Sequence, residues 1–135
     1  MKRIITIACF LFVLSACSAK SAQVPENFQT ISQPMAENLF SSIQANDFEN
    51  FHKDFNEKML SSTDETNFTS IRDSFLQTVG DYQSLTYDKT TYEEGYLISY
   101  YAVQFSEGSL TMRLVHDPAE PYLISGFWFP DFPSQ

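Results

Sequence analysis

The sequence predicts an α+β domain in which three N-terminal helices pack on a four-stranded antiparallel sheet. Two observations predict this fold class. Apolar residues recur at helical spacing as far as Gly80, and beyond Gly80 the period changes from 3.6 to 2 residues. The strand-like segments that follow are separated by short turns, which favour hairpins. A run of helices followed by a run of strands is typical of α+β domains.

The first helix is expected to begin near Pro34, because proline suits the first helical position, with Ser32 or Gln33 as its cap. It should end at Asn46. The apolar residues of this segment recur on one face, which indicates the side that packs on the sheet. They are Met35, Leu39, Phe40 and Ile43.

Two further helices are predicted before Gly80. Asp47 can cap the second helix, in which one face carries Phe48, Phe51 and Phe55. Ser62 and Glu65 match a capping box that would start the third helix, and Gly80 follows its end. The apolar face of the third helix consists of Phe68, Ile71, Phe75, Leu76 and Val79.

Four strands are predicted, at residues 82–92, 96–105, 110–116 and 122–129. The second and fourth carry apolar side chains on both faces, whereas a sheet with one wet face should alternate apolar and polar residues. Because the helices can cover only one face, the other face would expose a large apolar patch. We therefore expect that face to bind a second copy of the chain or an envelope protein. The alternative is that the tail at 131–135, or the N-terminal tether, folds over it.

The N-terminus has the pattern of a bacterial lipoprotein signal. Lys2 and Arg3 precede an uncharged apolar run, residues 4–14, that is too short for a comfortable membrane span. The run closes on Leu-Ser-Ala-Cys, which resembles the bacterial lipobox. This resemblance implies that residues 1–16 are a signal peptide and that Cys17 becomes the first mature residue, with acyl chains such as palmitate attached. The alternative is an ordinary signal peptide in which Cys17 is incidental.

The residues after the signal suggest a tether and one domain. Residues 17–31 are small and polar, which is typical of a flexible tether, here lipidated, and residues 32–135 form a single domain. Ser18 is not acidic, which in diderm bacteria usually accompanies sorting to the outer membrane, with the domain facing the periplasm. The mature chain would hold no cysteine besides Cys17, so neither a disulfide nor a cysteine-ligated metal is expected.

The chain is strongly acidic, with a formal net charge of −9. Without Lys2 and Arg3, six basic residues stand against 17 acidic ones, and the net charge becomes −11. Such a surface repels nucleic acid phosphates and anionic lipid head groups. We therefore expect no nucleic acid partner, and attachment to the membrane through the lipid alone.

No motif for metal binding or serine hydrolysis is present. His52 and His116 have no second ligand at helical spacing, so we expect solvated or capping side chains, no metal and no other cofactor. Ser125 and Gly126 lie in a predicted strand rather than on the sharp turn that a nucleophilic serine requires.

Carboxylates are abundant, and a paired-carboxylate acid–base site remains an alternative. The obvious pairs are Asp64 with Glu65, and Glu93 with Glu94. The first pair lies at a helix N-terminus, where the helix dipole favours negative charge, and the second lies in a turn. Local structure and solvation explain both pairs better than catalysis does.

Three features together resemble the nuclear transport factor 2-like superfamily, over roughly residues 33–130. They are Ala-Asn-Asp-Phe at 45–48 after the first helix, a helix that ends at Gly80, and Ile-Ser-Gly-Phe-Trp-Phe-Pro at 124–130. The chain is most similar to a secreted bacterial branch of unknown function. The resemblance implies a cone, in which a curved sheet wraps around the helices and often encloses a pocket. Enzymes of the superfamily place acidic, His or Tyr groups there, but no catalytic motif here matches.

A pocket inside such a cone would be lined mainly by aromatic side chains. The candidates are Phe40, Phe51, Phe55 and Phe75, with Tyr100 and Trp128 opposite. Residues of this kind more often form core packing, but as a pocket lining they favour a hydrophobic small molecule over a sugar or nucleotide. The predicted function is a lipid-anchored, non-catalytic domain that binds a small ligand or a protein. The alternative is a small pocket enzyme (a lyase, isomerase or hydrolase) on the same fold.

Overall fold

The computed structural model describes residues 23–133. The predicted signal peptide at 1–16, the lipidation of Cys17 and the tether up to residue 22 lie outside the described residues. In the described part, four helices precede four strands. They are α1 (Gln29–Ala45), α2 (Phe48–Phe51), α3 (Glu57–Ser62), α4 (Glu65–Thr78), β1 (Tyr82–Glu93), β2 (Tyr96–Phe105), β3 (Gly108–His116) and β4 (Ile124–Trp128).

The α+β fold class and the four antiparallel strands are confirmed. The strands form one sheet in the order β1-β2-β3-β4, so each strand pairs with its neighbour in sequence. In the two-residue turn between β1 and β2, Glu94 and Gly95 have φ of 50° and 90°, which matches the right-handed twist of the strands. Register shifts within β1 and between β3 and β4 bend the sheet. No helix among residues 23–133 has the length and apolarity needed to cross a membrane.

The predicted start of the first helix was wrong. The helix α1 begins at Gln29, ahead of Pro34, and residues 28–31, expected in the tether, belong to the folded domain. The physical reason is burial: Phe28 and Ser32 lie on one face of this extra turn, and both are buried. Their packing on the sheet offsets the backbone hydrogen bond that Pro34 cannot donate inside the helix.

The predicted second helix consists of two short elements. Asp47 caps α2, because its side chain accepts a hydrogen bond from the Asn50 backbone N–H at 3.1 Å, but the helix ends at Phe51. Phe55 lies beyond it, in an isolated bridge to Ile124. The backbone N–H of Asn56 donates to the Ile124 carbonyl at 2.9 Å instead of continuing the helix, and α3 then starts.

The last helix also differs from prediction at its start. Its capping box is formed by Asp64 and Asn67 rather than by Ser62 and Glu65. At its other end Gly80 has φ of +80° and its N–H donates to the Phe75 carbonyl at 3.1 Å, so its predicted place after the helix is confirmed. A Cβ at Gly80 would lie 2.1 Å from the Ser106 hydroxyl oxygen, so it would displace this hydroxyl from the hydrogen bond that it accepts from the Asp81 N–H.

The two faces of the sheet differ in what covers them. The inner face packs on the helices and carries Leu97, Ser99, Tyr101, Val103 and Phe105 of β2 with Leu110, Met112, Leu114 and His116 of β3. The outer face carries Tyr96, Ile98, Tyr100 and Ala102 of β2 with Thr111, Arg113 and Val115 of β3 and Trp128 of β4. Most of the inner face belongs to one large aromatic core.

A smaller buried group lies at the end of the inner face, apart from that core. It contains Phe28, whose ring meets the rings of His116 and Tyr122 edge to face at 5.2 and 5.3 Å between centroids. Leu97 lies beside His116 in the sheet register. These residues pack where the first turn of α1 crosses the ends of β2 and β3.

Candidate functional site

The six residues expected to line one pocket do not share a cavity. Four of them are buried in the main core: Phe40, Phe51, Phe55 and Phe75. Their rings pack on one another and on neighbouring aromatics, as in Phe40–Phe75 at 6.0 Å and Phe51–Phe55 at 5.3 Å. Tyr100 and Trp128 were expected opposite them but lie on the outer face. The helices and aromatic side chains fill the interior of the domain.

Tyr100 and Trp128 belong instead to a cluster around Arg113 on the outer face. The Arg113 guanidinium lies 4.9 Å from the Trp128 ring centre and 5.4 Å from that of Tyr100. Two further groups complete the cluster: the Lys89 ammonium is 5.2 Å from the Tyr100 ring, and Glu93 is 3.7 Å from Arg113. Cation–π contacts of this kind hold flat aromatic rings in a fixed orientation on an exposed surface.

Glu93 is the best-connected carboxylate of this cluster. Its oxygen accepts hydrogen bonds from Thr91 at 2.6 Å and from Tyr100 at 3.2 Å. The Thr91 hydrogen bond, more than the Arg113 charge, holds its pKa below the usual range. Glu93 therefore stays ionised and positions its neighbours, which does not suit the acid–base role considered for the Glu93–Glu94 pair.

A half-enclosed depression lies beside this cluster on the outer face. It has a volume of about 360 Å³ and runs between two exposed aromatic rings, Tyr96 and Trp128. Its floor is apolar, with Ile98 and Val115, and Arg113 closes one side. The sequence could not place this feature, because the strands are apolar on both faces and the pattern does not say which face meets the helices.

A second, shallower groove lies between α4 and the segment that follows β4. It is almost wholly apolar, with a volume of about 290 Å³, and is lined by Ser70, Ile71, Ser74, Phe75, Phe127, Phe129 and Phe132. It is the described cavity closest in character to the predicted hydrophobic pocket. Of the six predicted residues only Phe75 reaches it.

The inner face holds a line of hydroxyl groups that sequence analysis missed. The Ser32 hydroxyl on α1 hydrogen-bonds to the Tyr101 hydroxyl, and Ser99 lies two residues before Tyr101 on the same face of β2. Thr90 continues the line, with its oxygen 2.9 Å from those of both Ser99 and Tyr87. Burial raises the pKa of the Tyr101 phenol to about 12, so it stays protonated and can donate. The sequence signal was weak, namely polar residues at inward-facing strand positions.

His116 lies at the end of this face, and the expectation of a solvated or capping side chain was wrong for it. It is fully buried, and one ring nitrogen, Nδ1, lies 3.0 Å from the Tyr122 carbonyl. A carbonyl can only accept, so Nδ1 carries the proton, and Nε2 has no hydrogen-bond partner. Burial lowers the pKa of His116 to about 4, so its imidazole is neutral at pH 7.

The remaining motifs have structural roles. His52 ends α2 with its Nδ1 at the Phe48 carbonyl, and Asp64 and Glu65 start α4. Ser125 lies within β4 as expected, away from any sharp turn. Residues 23–133 contain no group of three or more His, Cys, Asp and Glu side chains that could hold a metal ion.

Comparison with known proteins gives the family. A family model described as "Protein of unknown function (DUF3887)" matches residues 36–120, which is more than half of the chain. The chain belongs to the DUF3887 family. The match spans the inner-face hydroxyls from Thr90 to Tyr101 and His116, whereas Phe28, Ser32 and all of β4 lie outside it.

One solved structure resembles this DUF3887 protein. It is an NTF-2 like protein of unknown function from Burkholderia xenovorans LB400, which is 12% identical in sequence with a TM-score of 0.42. The similarity covers 79% of this chain and 88% of that one. No curated protein sequence matches the chain.

Proposed function

We propose that this DUF3887 protein is a lipid-anchored protein of the cell envelope, held at the outer membrane and facing the periplasm, whose α+β domain is a non-catalytic protein-binding module. The lipobox-like residues 14–17 support the anchor. The outer sheet face supports the binding function and is the observation that carries the proposal.

The outer face has the composition of an interface centre. Trp128 is 57% exposed and Tyr96 is 43% exposed, and both flank the apolar floor formed by Ile98 and Val115. Trp, Tyr and Arg are the residue types that most often carry binding energy between proteins. Arg113 is held between two rings, so little side-chain entropy is lost when a partner docks.

The partner that fits this face best is a second copy of the chain. The domain as a whole is acidic, but the cluster on this face is balanced, since Lys89 and Arg113 oppose Glu93 and Glu94. Two such faces related by a twofold axis can place basic groups against acidic ones without net repulsion at the centre. The apolar floor would then be removed from water on both sides.

An enzyme is the second candidate, favoured by one observation. His116 and Tyr101 are buried groups with shifted pKa values, a combination that often marks active sites. Both side chains are essentially inaccessible to solvent, since Tyr101 is 1% exposed and His116 is 0% exposed. A substrate would have no access to them in this conformation, so the binding module is the better-supported function.

Sedimentation velocity of residues 18–135, which contain every described residue, tests the proposal. We expect a monomer–dimer equilibrium that is weakened by Trp128→Ser and is unchanged by Leu60→Ser, a control that removes an exposed apolar side chain from α3. Both copies carry the same net charge, so added salt should tighten the dimer. A strict monomer at high micromolar concentration would exclude a second copy as the partner, and pull-downs with a Trp128→Ser control would then test a foreign envelope protein.

A further inference from the structure

The buried polar group beneath the first turn of α1 has no role in the proposed binding face. Its side chains are Ser32, Ser99, Tyr101 and His116, all essentially inaccessible to solvent. The hydroxyls satisfy one another, but His116 Nε2 has no partner. Native proteins rarely leave a buried polar atom unpaired, and such an atom often marks a functional site. This nitrogen is a buried acceptor without a hydrogen-bond partner.

Phe28 is the side chain that covers His116. Its ring lies edge to face on the imidazole of His116, and only 2% of the residue is exposed. Ser32 lies one helical turn further along the same face of α1, so Phe28 covers His116 while Ser32 reaches Tyr101. Phe28 therefore covers the His116 end of the polar group, and Ser32 of α1 covers the Tyr101 end.

Apart from the packing of Phe28 on His116 and Tyr122, residues 23–28 are held by local hydrogen bonds, such as those that the Asn27 carbonyl accepts from the N–H and hydroxyl of Thr30. No side chain caps the N-terminus of α1, Asn27 has a positive φ of 57°, and the Phe28 N–H makes a 3.2 Å bond to the Pro25 carbonyl. Phe28 is buried but is not part of the main core. Residues 23–28 can therefore detach while the main core stays packed, as expected for a local opening.

We propose that His116 forms a concealed binding site for a small, uncharged ring compound that carries a hydroxyl or N–H donor, and that residues 23–28 are its lid. The Phe28 ring occupies the place of the ligand ring. The ligand donor pairs with His116 Nε2. Two described charged groups act on this site from its margin: Glu37 acts on Tyr101, and Asp117 acts on His116. A charged ligand would therefore lose its hydration without gaining an ion pair.

Chemical modification of the two histidines tests the opening. Diethyl pyrocarbonate acylates unprotonated imidazole, and His52, which is partly exposed, serves as an internal control. On residues 18–135 at pH 7 we expect His116 to react slowly, at a rate nearly independent of urea below the unfolding transition. Phe28→Ala should raise that rate at least about tenfold. A His116 rate that follows the global unfolding curve would overturn the lid.

Binding of phenol and benzene tests the site itself. Phe28→Ala removes the ring, and phenol can fill that space and donate to Nε2, whereas benzene can only fill it. We expect phenol to bind about tenfold more tightly than benzene, with a change in the ¹⁵N shift of His116 Nε2. The Phe51→Ala variant serves as the control, because it leaves a matched void in the apolar core. In this variant we expect benzene to bind more tightly than phenol. Equal binding of the two probes to Phe28→Ala, or no binding, contradicts the proposal. If Phe28→Ala does not fold, the acylation rate of His116 in Phe28→Leu is measured instead, and a rate equal to that of the unchanged chain contradicts the lid.

Discussion

Removal of the Phe75 ring measures how much the helix α4 contributes to the core. Phe75 contacts Phe129, Phe132 and Phe105 at 4.9, 5.2 and 5.6 Å between ring centres. A buried Phe→Ala change typically costs about 3–5 kcal/mol. Phe75 also lines the shallow apolar groove, so water can enter the space it leaves. We therefore expect Phe75→Ala to lower the free energy of unfolding by about 3 kcal/mol, at the lower end of that range.

The matched control is Phe51→Ala. Phe51 is fully buried, with Phe55 and Phe68 packed on it at 5.3 and 4.9 Å. Its void stays closed and dry, so the expected loss is larger, about 4–5 kcal/mol. Urea titrations followed by circular dichroism give both values by linear extrapolation. A loss below about 1 kcal/mol for Phe75→Ala, or a smaller loss for Phe51→Ala than for Phe75→Ala, would refute this reasoning.

Three further predictions follow from the sequence and the fold. Cys17→Ala should abolish incorporation of labelled palmitate, and a mature-sized variant that still fractionates with membranes would contradict the lipid anchor. The pKa of His116 falls from about 6.5 in the unfolded chain to about 4 when folded, so the unfolded state binds more protons between these values. Stability should therefore decrease by up to about 3 kcal/mol from pH 7 to pH 4, measured by urea midpoints, and by clearly less in His116→Gln. Gly80→Ala should cost at least about 1 kcal/mol and more than Gly95→Ala in thermal unfolding, because both have positive φ but only Gly80 would clash.

The strands were largely predictable because the alternation of polar and apolar residues has a period that backbone geometry imposes. β2 has the predicted bounds, and Gly80 marks the change from helix to strand. Short helices were harder. The spacing of Phe48, Phe51 and Phe55 fits one continuous helix, but the bridge from Phe55 to Ile124 joins residues far apart in sequence. Local spacing carries no information about such a contact.

The positions of the candidate site residues were less predictable for a related reason. A strand that is apolar on both sides does not show which side meets the helices, so Tyr100 and Trp128 were expected inside and lie outside. His116 presents the opposite case, since polarity predicted exposure and tertiary packing buried it. The start of α1 was missed because Pro34 is a strong local signal, and the burial of Phe28 outweighs it.

The meander order of the strands also bears on the sequence of events in folding. Each strand pairs with the next one along the chain, and β1–β2 and β2–β3 are joined by two-residue turns, so little loop entropy is lost when these hairpins close. Contacts between neighbouring segments form quickly, whereas contacts between distant ones form late. Phe28 packs on Tyr122, near the far end of the described chain. The lid should therefore dock after the sheet is complete, and its docking rate can be measured separately from that of the hairpins.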